Sequence, residues 1–407
     1  PAGQYAVTSI TINTGITLIG DNQNSAAFFS QSSTGNVFTI NTDSACRISN
    51  ITFTSSVTRT SGAYVNVTSS GENTYSTFDN VGFIGGYDGI RFTRAANWVI
   101  SSCQFQQNHY ACIVENQANA DSGDSCIIGT LFSMASGGIG IYQISSGGLR
   151  VENCKFLGGA YHYYGSYTTQ MNDLLLIGNS TEDASAANFV ITGSSGGTID
   201  GVVISNNQIT VDNNGGSPSG IYLVNPGWAV ARRTTVSGNM IQLRGNDVAI
   251  NIQNGDLVSV MQNTITSTYG NSGNNTHGVR IGSAATNISL WEQQFGGMSS
   301  GYEITTSSIK YQGGWNQGGK GTGFVTSNSY GAPLYRSDAI PVTFPVPYPV
   351  TPYISASIYA DGSHPNVGGV SCLISNPSAS GFDIYLIGVS SNALTSYNWT
   401  SSLGNIT

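Results

Sequence analysis

The stretch Val99-Ile100-Ser101-Ser102-Cys103-Gln104-Phe105 is answered by Cys126-Ile127-Ile128-Gly129-Thr130-Leu131-Phe132. The shared pattern is an apolar residue, four varied positions, then Phe or Ile. It recurs as Ile48 to Phe53, Phe78 to Phe83, Val151 to Phe156, Ile204 to Ile209, Val236 to Ile241, Val260 to Ile265 and Leu290 to Phe295. The final positions of the first five units lie 30, 22, 27 and 24 residues apart. Self-similarity at this period, with no helical periodicity, marks stacked coils of strand and turn. The fourth position confirms the register: Ile51, Val81, Cys103, Thr130, Cys154, then Asn207, Asn239, Asn263 and Gln293. Stacked amides in such a column can hydrogen-bond to one another and stay satisfied when buried, so these residues are structural.

A second strand follows each unit, as in Gly89-Ile90-Arg91-Phe92, Ala111-Cys112-Ile113-Val114, Gly138-Ile139-Gly140-Ile141 and Gly220-Ile221-Tyr222-Leu223. Alternation with period two places Ile90, Cys112, Ile139, Ile221, Ile250 and Val279 inward. Third strands such as Trp98-Val99-Ile100 complete each coil. The sequence predicts an all-β protein: a right-handed parallel β-helix of about ten coils, then a small C-terminal β-sandwich. The β-helix is expected over 1–312, a linker or crossover over 313–338 and the sandwich over 339–407.

Composition agrees. Only 8% of residues are charged, while 52 Gly and 21 Tyr are spread over 407 residues. Disordered chains lack such aromatic and β-branched content. The net charge of −8 offers no basic stripe for nucleic acid, and no run of apolar residues is long enough to span a membrane. The spacing of Cys46, Cys103, Cys112, Cys126, Cys154 and Cys372 fits neither a zinc site nor a disulfide framework. Free, mostly inward thiols are expected, as are no metal and no cofactor.

The coil repeat resembles that of pectinases and phage tailspikes. The segment Val342-Thr343-Phe344-Pro345-Val346-Pro347-Tyr348, followed by alternating strands and Trp399, is similar to the small C-terminal sandwich of phage tail fibres and tailspikes. Together these resemblances imply a bacteriophage tailspike acting as a capsular-polysaccharide depolymerase. They further imply a homotrimer, attachment to other tail proteins through an N-terminal region, assembly in the host cytoplasm and a place on the virion tail.

Outward positions of the second strand are where chemistry is expected, because stacked coils about 4.8 Å apart bring neighbouring side chains together. Arg91, Arg94, His109, Tyr142, His162, Tyr164, Tyr222, Trp228 and Arg280 are the expected sugar-binding set, with Asp88, Tyr110, Asp247 and His277 in the preceding turns. Glycoside hydrolysis needs two carboxyls across the bond. Glu115, read as outward, is the first candidate, with Asp121 or Asp124 as its partner and Glu182 with Asp183 as an alternative pair. A lyase using Arg91, Tyr142 and His162, or an adhesin that binds without cutting, are the rival readings.

Overall fold

The computed structural model describes residues 3–402 except positions 74, 117–123, 145–146, 168–170, 194–197, 212–218, 224–229, 246, 268–276, 292, 297–299, 305–308, 312–315, 325–327, 332–333, 345–350, 360–369 and 389–393. Every regular element among the described residues is a β-strand. Among the described residues no helix is long and apolar enough to cross a membrane. Contacts divide the chain into two units, Pro1–Ile288 with Gln294–Ile309, and Ser289–Gln293 with Lys310–Thr407.

The strands from Gly3 to Tyr311 form three parallel sheets, as the sequence predicts. The first sheet holds 12 strands from Gly3–Val7 to Gln294–Gly296, and the second holds 12 from Ile10–Ile12 to Ser300–Ile304. A third sheet of 14 strands runs from Thr17–Ile19 to Ile309–Tyr311. The repeat seen in the sequence spans the end of a third-sheet strand, a sharp bend and the next first-sheet strand. Its third position adopts left-handed φ in coil after coil: 56° at Asn50, 53° at Asn80, 53° at Ser102, 57° at Gly129 and 64° at Gly238. Asn and Gly tolerate this region best, which explains why they punctuate the repeat.

Two ladders fill the interior. Phe53, Phe83, Phe105, Phe132 and Phe156 stack with centroids 5.4, 4.8, 5.1 and 4.5 Å apart. Asn179 Nδ2 donates to Asn207 Oδ1 at 3.0 Å, and Asn207 to Asn239 and Asn239 to Asn263 at 2.9 Å each. The second amide hydrogen of each goes to a backbone carbonyl, on Val151, Leu176 and Ile204 respectively. Asn179 belongs to this column too, a member the sequence repeat did not reveal. Four of the cysteines, Cys46, Cys103, Cys112 and Cys154, are buried, and all six are free thiols.

The C-terminal unit carries two antiparallel sheets, of three and five strands. Phe382, from the larger sheet, meets Trp399, from the smaller, with ring centroids 5.4 Å apart, and Phe344 packs 5.8 Å from the same indole. Trp399 therefore closes a small sandwich. The segment 313–338, expected as a linker, instead supplies strands to it: Asn316–Phe324 pairs with Leu394–Ser402, and Leu334–Arg336 pairs with Gly381–Gly388. Its glycines mask the β pattern that side-chain alternation would otherwise show.

Candidate functional site: the outer face of the second sheet

At each corner entering the second sheet, two consecutive residues face inward. An added Cβ on Gly89 would strike the Phe105 ring, yet the next residue, Ile90, is also fully buried. The same doubling recurs at Cys112–Ile113, Gly140–Ile141 and His162–Tyr163. Beyond it, Arg91, Val114, Tyr142, Tyr164, Val190, Tyr222, Asn251 and Arg280 stand in one outward column, joined rung to rung by the pairing register. Asp88, Ala111, Ile139, Tyr161, Ala187, Ser219, Val248 and His277 form a second column beside it.

This corner corrects two site residues. Ile113, not Cys112, aligns with Ile90, so Glu115 aligns with the inward residues Phe92 and Gln143. Glu115 is wholly buried and cannot reach a polymer on the surface. It lies near a buried hydroxyl cluster in which Tyr163 and Tyr167 donate to Gln143. His162 is also wholly buried, stacked on Phe156. Its Nδ1 accepts from Asn188 at 3.1 Å and its Nε2 donates to the Gly158 carbonyl at 3.1 Å. Desolvation drives its pKa down to about 3, so it is a neutral core residue.

Of the other carboxyls expected to act in catalysis, those among the described residues are not gathered on this face. Glu182 ends a first-sheet strand 3.7 Å from Lys155, and Asp183 follows in left-handed conformation. Asp124 is exposed just before a third-sheet strand, also with positive φ. Asp121 and Trp228 lie outside the described residues. Arg94 is exposed at a bulge past the column, and His109 is exposed at the corner.

What the face does gather is tyrosine. Tyr87 stacks on Tyr110 at 5.2 Å, Tyr110 meets Tyr142 edge-on at 6.2 Å, and Tyr142 meets Tyr164 at 5.6 Å. Tyr161 lies 4.8 Å from Tyr164. With Tyr222 two rungs further on, the rings cover about 24 Å along the axis at about 4.8 Å per rung. All six are half-buried, with part of each ring open to solvent. Past Tyr164 the face dips into a pocket of about 310 Å³, lined by Tyr161, Tyr164, Val190, Thr192, Tyr222 and Asn251 among others.

Each end of the stripe carries an arginine held by a carboxylate. Asp88 binds Arg91 at one end. Burial pushes the Asp88 carboxyl up to about 6, against the pull of Arg91. At the other end Arg280 Nε donates to Glu303 Oε2 at 2.5 Å, and His277 Nε2 lies 3.4 Å from the same oxygen. Desolvation lowers the His277 pKa, against the opposing pull of Glu303. Tyr87, Tyr161 and Glu303 were not foreseen. Tyr87 sits in the bend before its strand and Tyr161 opens its strand, both ahead of the inward pair, where alternation gives no direction, and Glu303 sits at the fraying end of the repeat. Among the described residues no cluster of His, Cys, Asp and Glu is arranged to hold a metal ion.

No protein-family model matches the chain, and no curated protein does. Solved structures do. The tailspike protein of Pseudomonas phage LKA1 is 13% identical with a TM-score of 0.51, over 97% of this chain and 68% of that one. The fold is shared with phage tailspikes. Tailspike protein 3 of bacteriophage CBA120 is 14% identical with a TM-score of 0.51, over 76% of this chain and 55% of that one. A DFA-IIIase from Arthrobacter chlorophenolicus is 13% identical with a TM-score of 0.50, over 71% of this chain and 82% of that one. The chain thus spans about two thirds of the first tailspike and about half of the second. At these identities the likeness is one of fold, and one fold serves many activities.

Proposed function

We propose that this protein is a phage tailspike that binds a bacterial surface polysaccharide along the second-sheet face and cuts it. The observation that carries the reading is the unbroken run of tyrosines from Tyr87 to Tyr164, parallel to the axis and flanked by two fixed arginines. Flat ring faces suit the C–H faces of sugars, and fixed guanidiniums suit sugar hydroxyls and carboxylates. A site this long and shallow fits a polymer better than a small molecule, which proteins enclose in a deeper cavity. The tailspike fold supports the same reading. Six free thiols suit assembly in a reducing host cytoplasm. Assembly as a homotrimer and attachment to other tail proteins belong to the same proposal.

Two chemistries would cut the polymer. Hydrolysis requires two carboxyls facing one bond. Asp88, raised to about 6, has the pKa of a proton donor, but it lies buried beneath Arg91, and none of the foreseen carboxyls among the described residues joins it. Elimination from a uronic acid requires a cation for the carboxylate and a base for the neighbouring C–H. Arg280, held by Glu303, supplies the cation, and His277 beside it, its pKa lowered by desolvation, supplies the base through Nε2, because its Nδ1 is buried. The geometry therefore favours elimination at the Arg280 end: His277 Nε2 takes the C5 proton, the C4–C5 double bond forms as the C4–O bond breaks, and the leaving oxygen takes a proton from water. The test is digestion of purified capsular polysaccharides, with products analysed by mass spectrometry and ultraviolet absorbance. Unsaturated oligosaccharides that disappear in His277→Ala support elimination. Products that have gained water move the chemistry to carboxylates. Polymer that stays intact but bound makes the protein an adhesin, and polymer that is neither bound nor cut refutes the proposal.

A further inference from the structure

The pocket beyond Tyr164 differs from the rest of the face. Tyr164 and Tyr222 occupy the same column two rungs apart, with Val190 between them. Two rungs separate their backbones by about 9.6 Å. A small side chain in that gap leaves the rings standing as two walls. Ala187 and Val190 are among its apolar lining residues, and Thr192, Ser219 and Asn251 are among its polar ones. No lining residue carries a charge near neutral pH, and burial pushes the Tyr164 and Tyr222 hydroxyls further from ionisation. Thr192 is 5% exposed, and its hydroxyl is buried with no hydrogen-bond partner among the described residues. A buried hydroxyl without a partner is costly and calls for a ligand group to complete it.

We propose that this pocket is a subsite for one uncharged sugar residue that presents a methyl group, either from a 6-deoxyhexose or from an N-acetylated hexosamine. The inference rests on the polysaccharide reading above and adds what the polymer contains. The ring lies between the tyrosine faces, its methyl against Val190 and Ala187, and a polar oxygen accepts from Thr192. A carboxylate placed there would lose its hydration without gaining a cation, so an acidic sugar is rejected. The next rung reverses this preference, because Asn251 is paired with Arg280. The recognised repeat then sets an uncharged, methyl-bearing residue beside an acidic one.

Saturation-transfer NMR on the whole protein tests this with four probes: methyl α-L-rhamnoside, methyl N-acetyl-β-D-glucosaminide, methyl β-D-glucoside and methyl β-D-glucuronide. Saturation is expected at the methyl of rhamnoside or of the N-acetyl group, with little at glucoside and none at glucuronide. Val190→Phe, which fills the gap with a side chain the pocket has room for, should abolish the signal. Thr192→Val, nearly isosteric, should weaken binding about tenfold, the worth of one hydrogen bond of about 1.4 kcal/mol. Circular dichroism shows whether the variants are folded. Glucuronide binding as well as the neutral probes, binding unchanged in Val190→Phe, or no binding by any glycoside overturns the subsite. Retention of capsular polysaccharide on the immobilised protein separates the two proposals. If Val190→Phe and wild type hold polymer equally, the subsite falls while the groove stands. If wild type holds none, both fall.

Discussion

Asn239→Ala tests the amide ladder that keeps the coils, and hence the tyrosines, in register. Asn239 is 1% exposed and its side chain makes four hydrogen bonds. Its Nδ2 donates to the Ile204 carbonyl at 3.0 Å and to Asn263 Oδ1 at 2.9 Å. Its Oδ1 accepts the Asn207 backbone N–H at 3.0 Å and Asn207 Nδ2 at 2.9 Å. Alanine removes all four, deprives the Asn207 N–H of its acceptor and opens a small cavity. At about 1 kcal/mol net per bond, the loss is about 4 kcal/mol, or roughly a thousandfold in the folding equilibrium. Urea unfolding followed through Trp98, fully buried and stacked 4.1 Å from Phe92, should show an early transition. Asn239→Asp is the control. Its carboxylate still accepts from Asn207, but its second oxygen meets two acceptors, Ile204 O and Asn263 Oδ1. Its folded pKa is therefore raised above the unfolded value, and stability present at low pH is lost as pH rises through that folded pKa. A shift below about 0.5 kcal/mol for alanine, or an aspartate variant indifferent to pH, would refute the ladder's role.

Glu115→Gln should leave polymer cutting within twofold of wild type, since the side chain faces the interior; a loss above a hundredfold in a digestion assay would place it in the site after all. His162, with its pKa depressed to about 3, binds no proton in the fold where the unfolded chain does. Its contribution is therefore full above about pH 6.5 and falls by about 1.4 kcal/mol per pH unit as pH drops toward 3. Thermal melts of His162→Gln should lack that part of the acid loss, and identical pH profiles would contradict it. Asp88 has the opposite sign: its carboxyl is raised to about 6, so the fold binds the extra proton and stability is lost as pH rises from about 4 through 6. Asp88→Asn should melt higher at pH 8 while weakening polymer retention several-fold, because Arg91 loses its anchor; unchanged retention would separate Arg91 from binding.

The β-helix was legible because one apolar position per coil recurs with a bend residue two places on, and Asn50, Asn80 and Gly129 are the types a left-handed bend tolerates. The outward column was legible where alternation restarts beyond the corner, at Arg91, Tyr142, Tyr164, Tyr222 and Arg280. It failed at Glu115 because the corner sets two residues inward in succession, and a strand read without that doubling slips by one, exchanging its faces. Cys112 and Ile113 are equally apolar, so nothing in their chemistry marked the slip. Two tyrosines were hidden for a related reason: Tyr87 lies in a bend and Tyr161 at the first position of its strand, both ahead of the inward pair, and only the stacked coils show that they join Tyr110, Tyr142 and Tyr164.

The most direct test of the central claim is the structure of this protein with an oligosaccharide released from a polymer that it binds. Sugar density is expected along the second sheet, with ring faces on Tyr110, Tyr142 and Tyr164, one uncharged residue between Tyr164 and Tyr222, and an acidic one at Arg280. Sugar bound on the first or third sheet, with the tyrosine face bare, would contradict it.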